Sequence, residues 1–495
     1  MLECAAPNRR DSRMPTFQIH NFGCRATQAD AAAIERQLRG AGCETATDAR
    51  DAQVVVINTC TVTAAADLQA RQAIAAIAKR NPAARIIVTG CYAQRAPEDL
   101  ARLPGVAWVV GNSHKSEVAR LVQQLDACEP RTSRASIGIV PLSSLARITT
   151  PAEMFPPPQE PAASLDARAK ILAGDIFALD TLTLTPIAGR EGGHTRPTLK
   201  IQDGCNNRCA YCVIPFVRGK SRSLPPRDVI AEISRLVSTG AQEIVLSGIN
   251  LGSYGRDLSP RVEFDDLLRR ILDETELARL RVSSIEPMDV TRDLVELVAA
   301  RDRIAHHFHM PLQSGSDPVL AKMHRWYRAS HYAQHLQMIN ELLPDAAIGA
   351  DVIAGFPGET EADHRATRDF IEALPFSYLH VFSFSARPET EGARLPSPVK
   401  PGAIRERARE LRSLAEGKKA EFRASQVGKQ MRVLTLETDP KECAMRGWTR
   451  AISGNYLDLR IEGCWPANRW IEVEVAFNEG TRTIARPACR QPAPA

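Results

Sequence analysis

The sequence predicts an α/β protein in three parts: an N-terminal doubly wound parallel-sheet domain, a central partial (β/α)6 barrel and a small C-terminal β-barrel. Three observations predict it. From Thr16 to about Ala127, short apolar runs alternate with helix-length stretches, the pattern of parallel strands joined by crossover helices. The alternation resumes at Thr198 and passes through six strand candidates before Pro401. After Gly428 helical periodicity gives way to short β-type runs. At 495 residues the chain has room for several domains of roughly 100–200 residues, each with a core.

In the first part, Thr16–His20 reads as a strand leading to Cys24, and Ala26–Ala41 as an amphipathic helix. Val54–Ile57 is a continuous apolar run, as expected of a strand covered on both faces, and leads to Cys60. An Ala-rich helix, Thr63–Arg80, follows, then a third strand, Arg85–Thr89, ending at Gly90-Cys91. Val106–Val110 and a helix near Ser113–Leu125 close the unit, placed at 16–127 after an N-terminal extension, 1–15. Residues 128–195 are punctuated by prolines and read as a linker or insertion with a short helix near Leu165–Leu172. The barrel, 196–400, is built from Leu199–Gln202, Glu243–Ser247, Arg281–Ile285, His307–Met310, Ala347–Ile353 and Tyr378–Phe382. Six strands suit an open barrel; a closed eight-fold one takes about 250 residues. A charged helix within 401–427 leads to the all-β tail, 428–490.

Composition narrows the chemistry. Hydrophobic residues at 44% and charged residues at 24% exclude global disorder. The net charge of +5 permits a nucleic-acid partner without arguing for one. No window approaches the roughly 18 apolar residues of a membrane span, and Met1–Met14 lacks a secretory pattern. The expectation is a cytoplasmic protein with no membrane partner. The 12 cysteines then point to metal or redox chemistry, because reducing compartments keep thiols free.

Three of them stand as Cys205, Cys209 and Cys212, spaced CxxxCxxC just after the first barrel strand. Thiolates are the usual ligands of iron–sulfur clusters, and three leave one iron of a four-iron cluster open. A structural zinc site normally wants four ligands, and no fourth Cys or His follows nearby. Cys24, Cys60 and Cys91 are dispersed, yet each follows the carboxyl end of a predicted strand. Parallel strands present those ends along one rim, where ligands bind. That placement is compatible with a gathered trio and equally with three buried core cysteines.

The CxxxCxxC segment resembles the signature of the radical S-adenosylmethionine superfamily. The resemblance implies that a [4Fe-4S] cluster at Cys205, Cys209 and Cys212 chelates S-adenosylmethionine, is reduced, and yields a 5′-deoxyadenosyl radical, with Tyr211 near the adenine. The N-terminal part resembles that of the methylthiotransferases, which implies a second [4Fe-4S] cluster on Cys24, Cys60 and Cys91. Cys4, Cys43, Cys128, Cys443, Cys464 and Cys489 match no family position and are expected to be unligated. Asn58-Thr59-Cys60-Thr61-Val62-Thr63, Gly90-Cys91-Tyr92-Ala93-Gln94 and Ser247–Gly255 are similar to the branch acting on N6-threonylcarbamoyladenosine in tRNA. The implied reaction puts a methylthio group on carbon 2 of that base at position 37. It needs an electron donor such as flavodoxin or ferredoxin, and the sequence names no sulfur donor.

Further site residues are expected where barrel strands end. Ser247, Gly248, Asn250, Ser283, Ser284, Glu286, Gln313 and Gly355 are placed there as cofactor contacts, and Ser314 beside Gln313; each taken singly is also ordinary turn or cap chemistry. Arg218, Lys220 and Arg222 follow the cluster loop and are expected to clamp a substrate carboxylate or phosphate. The tail resembles a TRAM module, an RNA-binding barrel, in Gly447-Trp448-Thr449 and Asn455-Tyr456. Trp448 and Tyr456 suit either base stacking or barrel filling. Two rival functions stay open: a methylthiotransferase acting on isopentenyladenosine in tRNA or on a ribosomal-protein aspartate, and a non-catalytic RNA-binding iron–sulfur protein.

Overall fold

Val54–Thr59 is buried along its whole length, which a strand achieves only inside a sheet covered on both faces. In the computed structural model, which describes residues 15–23, 25–125, 169–179 and 195–488, it is the third strand of the first sheet. β1 (Thr16–Asn21), β2 (Glu44–Thr45), β3 (Val54–Thr59), β4 (Arg85–Gly90), β5 (Val106–Gly111) and β6 (Lys170–Leu172) lie in the order β2-β1-β3-β4-β5-β6. Every neighbouring pair is parallel. Ile57, Ile74 and Val88 anchor one covered face; Phe17, Ile34 and Val56 anchor the other. The sheet is doubly wound, as expected.

β6 is a correction. Lys170–Leu172 was expected in a short helix; it is a strand paired with Trp108–Val110 of β5. So short an apolar run carries no periodicity, and the open edge of β5 decides its conformation. Of the expected linker, residues 128–168 and 180–194 lie outside the described residues, as do the extension before Pro15 and Cys4, Cys24, Cys128 and Cys489; Ile176–Ala178 forms a short 3-10 turn.

The central unit begins with β7 (Thr198–Lys200) and a two-stranded antiparallel pair, β8 (Gln202–Asp203) and β9 (Arg222–Ser223), around the CxxxCxxC loop. β10 (Glu243–Ser247) and β11 (Arg279–Val282) complete one parallel triplet with β7. β12 (His307–His309), β13 (Ala347–Ala354) and β14 (Tyr378–Ser383) form a second. Parallel bridges Leu280–Ile304 and Ser284–His309 join the triplets, so six strands follow one another around a partial barrel. Side chains alternate. Leu246, Leu280, Ile348, Val352 and Val381 pack outward among the helices, leaving the intervening residues to face the lumen. No helix among the described residues is long and apolar enough to cross a membrane.

The helix Pro401–Ser425 runs along β14 and hands the chain to a closed five-stranded barrel. Its strands are β15 (Gln430–Thr435), β16 (Trp448–Ser453), β17 (Asp458–Glu462), β18 (Trp470–Glu479) and β19 (Arg482–Pro487), in the order β15-β16-β17-β19-β18. Here the cysteine reading needs a second correction. Cys443 and Cys464 were expected to be unligated thiols; they form a disulfide, with Cα atoms 5.8 Å apart. The antiparallel pairing of Trp448 with Glu462 brings the two flanks together, a proximity that no sequence spacing announces. Cys43 is buried.

Tyr456 is half-buried and lies outside the small barrel's apolar core. Its ring stacks on His307 at 4.5 Å, under the amino ends of the central strands. Trp448 lies instead under Arg460, 4.6 Å from the ring centre. A buried ionic clamp holds the two barrels together. Glu243 is fully buried and accepts from Arg281 Nε (2.8 Å), from Arg279 and from Arg196 (3.2 Å). Arg281 then donates to the Ser453 and Gly454 carbonyls at 2.8 and 2.9 Å, and Arg279 to that of Ile452 at 3.1 Å. Glu243→Ala strands two buried guanidinium groups and is expected to cost about 3–5 kcal/mol in denaturant unfolding. A loss below about 1 kcal/mol, the value of a surface pair, contradicts the clamp.

Candidate metal centres and active site

The CxxxCxxC loop is held in shape by side-chain hydrogen bonds. Gln202 Oε1 accepts from the Ile249 and Asn250 amides, both at 2.9 Å, while its Nε2 donates to the Gly204 carbonyl at 2.8 Å. One side chain thus ties the loop after β10 to the start of the CxxxCxxC segment. Sequence reading missed Gln202, which stands in the strand just before the motif and takes its role from a loop 47 residues away. Burial pushes the Cys212 thiol up to about 12, with neighbouring Cys209 and Cys205 adding to the rise, and burial raises Cys205 too. With Cys205 and Cys212 both raised, the three thiols form an array whose anionic state calls for a cation. Arg325, also missed, donates to Cys209 Sγ at 3.4 Å and pairs through both terminal nitrogens with Glu286. Asn250 Oδ1 and Ser283 Oγ are buried without a hydrogen-bond partner, leaving polar capacity beside the array.

The opposite wall comes from the first sheet. Thr59 of β3 lies opposite Gly90 of β4, so Cys60 and Cys91 leave adjacent strand ends side by side. Gly90 has φ 100°, and a Cβ there would fall 2.3 Å from the Thr59 carbonyl oxygen. Asn21 of β1 pairs with Asn58, and a Cβ on Gly23 would fall 2.3 Å from that of Cys60. The backbone immediately before Cys24 therefore packs against Cys60. Cys60 and Cys91 are buried, and Asn112 Nδ2 donates to Cys91 Sγ at 3.5 Å. Cys91 packs on Val213, the residue after Cys212, and on Val217 one turn further along.

Between the walls lies a cavity of about 190 Å³. Val62 and Thr63, following Cys60, line one side; Tyr211 and Cys212 line another; Gln313, Ile353 and Phe382 complete it from the barrel. Residues 16–111 match the family described as uncharacterized protein family UPF0004, and residues 199–371 match the radical SAM superfamily. The chain is 33% identical over 455 residues to the threonylcarbamoyladenosine tRNA methylthiotransferase MtaB of Aquifex aeolicus, covering 92% of this chain and 98% of that one. It is 34% identical over 451 residues to the Bacillus subtilis protein of the same name, covering 91% of each.

The chain belongs to the methylthiotransferase family. It is also 34% identical over 385 residues to a tRNA-2-methylthio-N(6)-dimethylallyladenosine synthase of Syntrophobacter fumaroxidans, covering 77% of this chain and 76% of that one. Among solved structures, the radical S-adenosylmethionine methyltransferase TsrM of Kitasatospora setae shares the fold, with TM-score 0.52, 15% identity and 76% of each chain covered.

The remaining expected residues of this methylthiotransferase fall into place unevenly. Ser247 and Gly248 end β10 against Gln202, and a Gly248 Cβ would meet its Oε1 at 2.9 Å. Ser284 bridges to His309, and Gln313 reaches the cavity from a backbone with φ 64°. Ser314 is buried and spent on Thr367. Gly355 faces Ile404 of the C-terminal helix, and its amide donates to Glu359 at 2.8 Å.

Arg218 and Arg222 are corrections to the expected substrate clamp. Arg218 is buried and donates at 2.9 Å both to Asp203 and to Asp30 of the first sheet's helix Arg25–Gly40. Arg222, also buried, donates to the Arg218 carbonyl at 2.8 Å. Only Lys220 is exposed. The run is charged because a buried seam needs it. Lys115 and Lys200 also donate to Asp30. Burial alone would raise Asp30, but Lys115, Lys200 and Arg218 override it and hold the carboxyl well below the usual range. A second latch joins Asp67 to Arg95 at 2.9 Å and Arg387 at 2.6 Å, while Thr61, next to Cys60, donates to the same carboxylate.

Asp30→Asn is expected to destabilise the protein at pH 7 by about 3 kcal/mol. Because the folded carboxyl is depressed, its contribution is complete above the unfolded value near 3.9 and lost as pH falls through the folded value. The difference from wild type should hold from pH 8 to 5 and shrink only below about pH 4. A difference already gone at pH 5, read by denaturant titration, contradicts the seam.

Proposed function

We propose that this methylthiotransferase puts a methylthio group on carbon 2 of N6-threonylcarbamoyladenosine at position 37 of tRNA, using S-adenosylmethionine and two [4Fe-4S] clusters. The observation that carries the reading is the single cavity shared by residues that follow Cys60 and by Tyr211-Cys212. Groups held by the two cysteine sets would face the same base. The relatives bearing this activity in their names match across 98% and 91% of their lengths, against 76% for the dimethylallyladenosine synthase quoted above, which favours the branch.

The donor sets fit the groups. Cys205, Cys209 and Cys212 are three thiols on one loop, and three thiolate ligands leave one iron of a four-iron cluster open. Cys60 and Cys91 supply two further thiols on one rim, and Cys24 is proposed as the third. When bound, the cluster at Cys205, Cys209 and Cys212 supplies the electron that turns S-adenosylmethionine into a carbon radical, strong enough for an aromatic C–H bond.

The chain's own residues bind and orient. Tyr211 offers a ring face to adenine. Asn250 Oδ1 and Ser283 Oγ, otherwise unpartnered, accept from the amino or ribose groups of S-adenosylmethionine. Arg325 keeps Glu286 in place through its paired guanidinium, and Lys220 is available for a phosphate. Ser247, Gly248, Ser284 and Gln313 belong to the same rim. The tail barrel acts as an RNA-binding TRAM module, an electron donor such as flavodoxin or ferredoxin serves the reaction in the cytoplasm, and no membrane is involved.

Two measurements test this. Iron analysis should fall from roughly eight per chain to roughly four when Cys24, Cys60 and Cys91 are all replaced by Ala, with the rest held by the other trio. Mass spectrometry of tRNA nucleosides from a deletion strain should show the methylthio form of threonylcarbamoyladenosine lost and that of isopentenyladenosine retained. The reverse pattern assigns the other branch, and unchanged nucleosides reject both.

A further inference from the structure

The lumen carries a set of polar side chains that the proposed chemistry leaves unused. Strand alternation turns His307 and His309 of β12, Gly349, Asp351 and Ile353 of β13, and Tyr378, His380 and Phe382 of β14 to the inner face, opposite the residues packed among the helices. Register puts His309 beside Gly349 and Asp351 beside His380. His309, Asp351 and His380 each offer a nitrogen or oxygen within 4.8 Å of the others. His309 Nε2 lies 3.2 Å from Asp351 Oδ2.

Their orientation is built. The Tyr378 hydroxyl bonds to His309 Nδ1 at 3.1 Å and to His307 Nε2 at 2.8 Å. Gly349 makes room for that ring, since a Cβ there would lie 2.0 Å from Tyr378 Cζ. Beneath, Tyr456 stacks on His307. Toward the clusters the surroundings change. Asp351 lines the cavity between the cysteine sets, and one layer above it Ile353 and Phe382 form an apolar collar. His380 is exposed and reaches a second, larger cavity on the open side of β14. Asp351 thus lines the first cavity below that collar and His380 the second, while buried His309 pairs with both Asp351 and Tyr378.

We infer that His309, Asp351 and His380 form a recognition floor for the polar substituent on N6 of the target adenosine, with the purine held in the collar of Ile353 and Phe382. This rests on the function proposed above and adds its basis for choosing a substrate. A threonylcarbamoyl group brings a ureido N–H and carbonyl, a hydroxyl and a carboxylate. His380 donates to its oxygens and Asp351 accepts from its N–H or O–H, while His309, bonded at Nδ1 to Tyr378 and paired at Nε2 with Asp351, holds that carboxylate in place. An isopentenyl group brings none of these and would leave the floor unpaired, the situation in which polar sites discriminate most strongly.

The test is the affinity of the iron-loaded enzyme for anticodon stem-loops carrying threonylcarbamoyladenosine, isopentenyladenosine or plain adenosine at position 37. Wild type should prefer the first over the other two by at least about ten-fold. His309→Phe and His380→Phe should bring that preference close to unity with iron content retained, and His380→Gln, which keeps a donor, should preserve most of it. A preference unmoved by either Phe variant overturns the inference. So does a stoichiometric divalent cation, besides iron, that both variants lose, because the same three side chains would then be a metal site. Turnover of the threonylcarbamoylated tRNA by wild type, measured in parallel, separates the two levels. Absent turnover defeats the proposed function, whereas turnover with an unmoved preference defeats only the floor.

Discussion

The arrangement depends on one buried seam. Asp30 and Asp203 are shared among Lys115, Lys200 and Arg218, five charges taken out of water where the first sheet meets the cluster loop. Burying such a set costs several kcal/mol per ion unless geometry is excellent, so it is a poor device for stability alone. It is a good device for register. Each cation finds its carboxylate in one orientation of the sheet, and that orientation sets Cys91 on Val213 and Val217, next to Cys212. The Asp67 latch repeats the device on the other side, with Thr61 fixed beside Cys60. An apolar seam of equal area would tolerate sliding, and a one-residue slip would carry one thiol set away from the other.

The same economy governs the far end of the barrel. A six-stranded partial barrel leaves an open lumen, and an enzyme handling a radical has reason to close it. The five-stranded barrel sets Tyr456 against His307 at that end and is held by Glu243 and its three arginines. A module resembling an RNA-binding domain therefore contributes a residue to the floor of the central unit. Whatever moves the small barrel moves the layer beneath His307 and Tyr378.

Legibility differed by the range of the interaction involved. Local patterns sufficed for the parallel sheets, since Val54–Ile57 and Glu243–Ser247 announce themselves by composition, and CxxxCxxC is a local motif. The rim shared by Cys60 and Cys91 was legible only as a rule about strand ends, and the pairing of Thr59 with Gly90 gives it atoms. Gln202, Arg325, Asp30 and the His309, Asp351 and His380 set were not legible, because each acquires meaning from a partner tens to hundreds of residues away. Arg218 shows the opposite error. A cation beside a cluster motif suggests a ligand clamp, but its carboxylates come from Asp30 and Asp203 of the same chain. The Cys443–Cys464 disulfide failed for a related reason, since compartment arguments concern average thiols and pairing concerns two particular ones.

The central claim is that two thiol-held iron centres open onto one cavity. Pulsed electron paramagnetic resonance of the reduced, iron-loaded enzyme tests it most directly. Two neighbouring paramagnets should show dipolar broadening and accelerated relaxation, both disappearing when either cysteine set is replaced by alanine. A spectrum equal to the plain sum of the two single-centre variants would place the centres far apart and contradict the account.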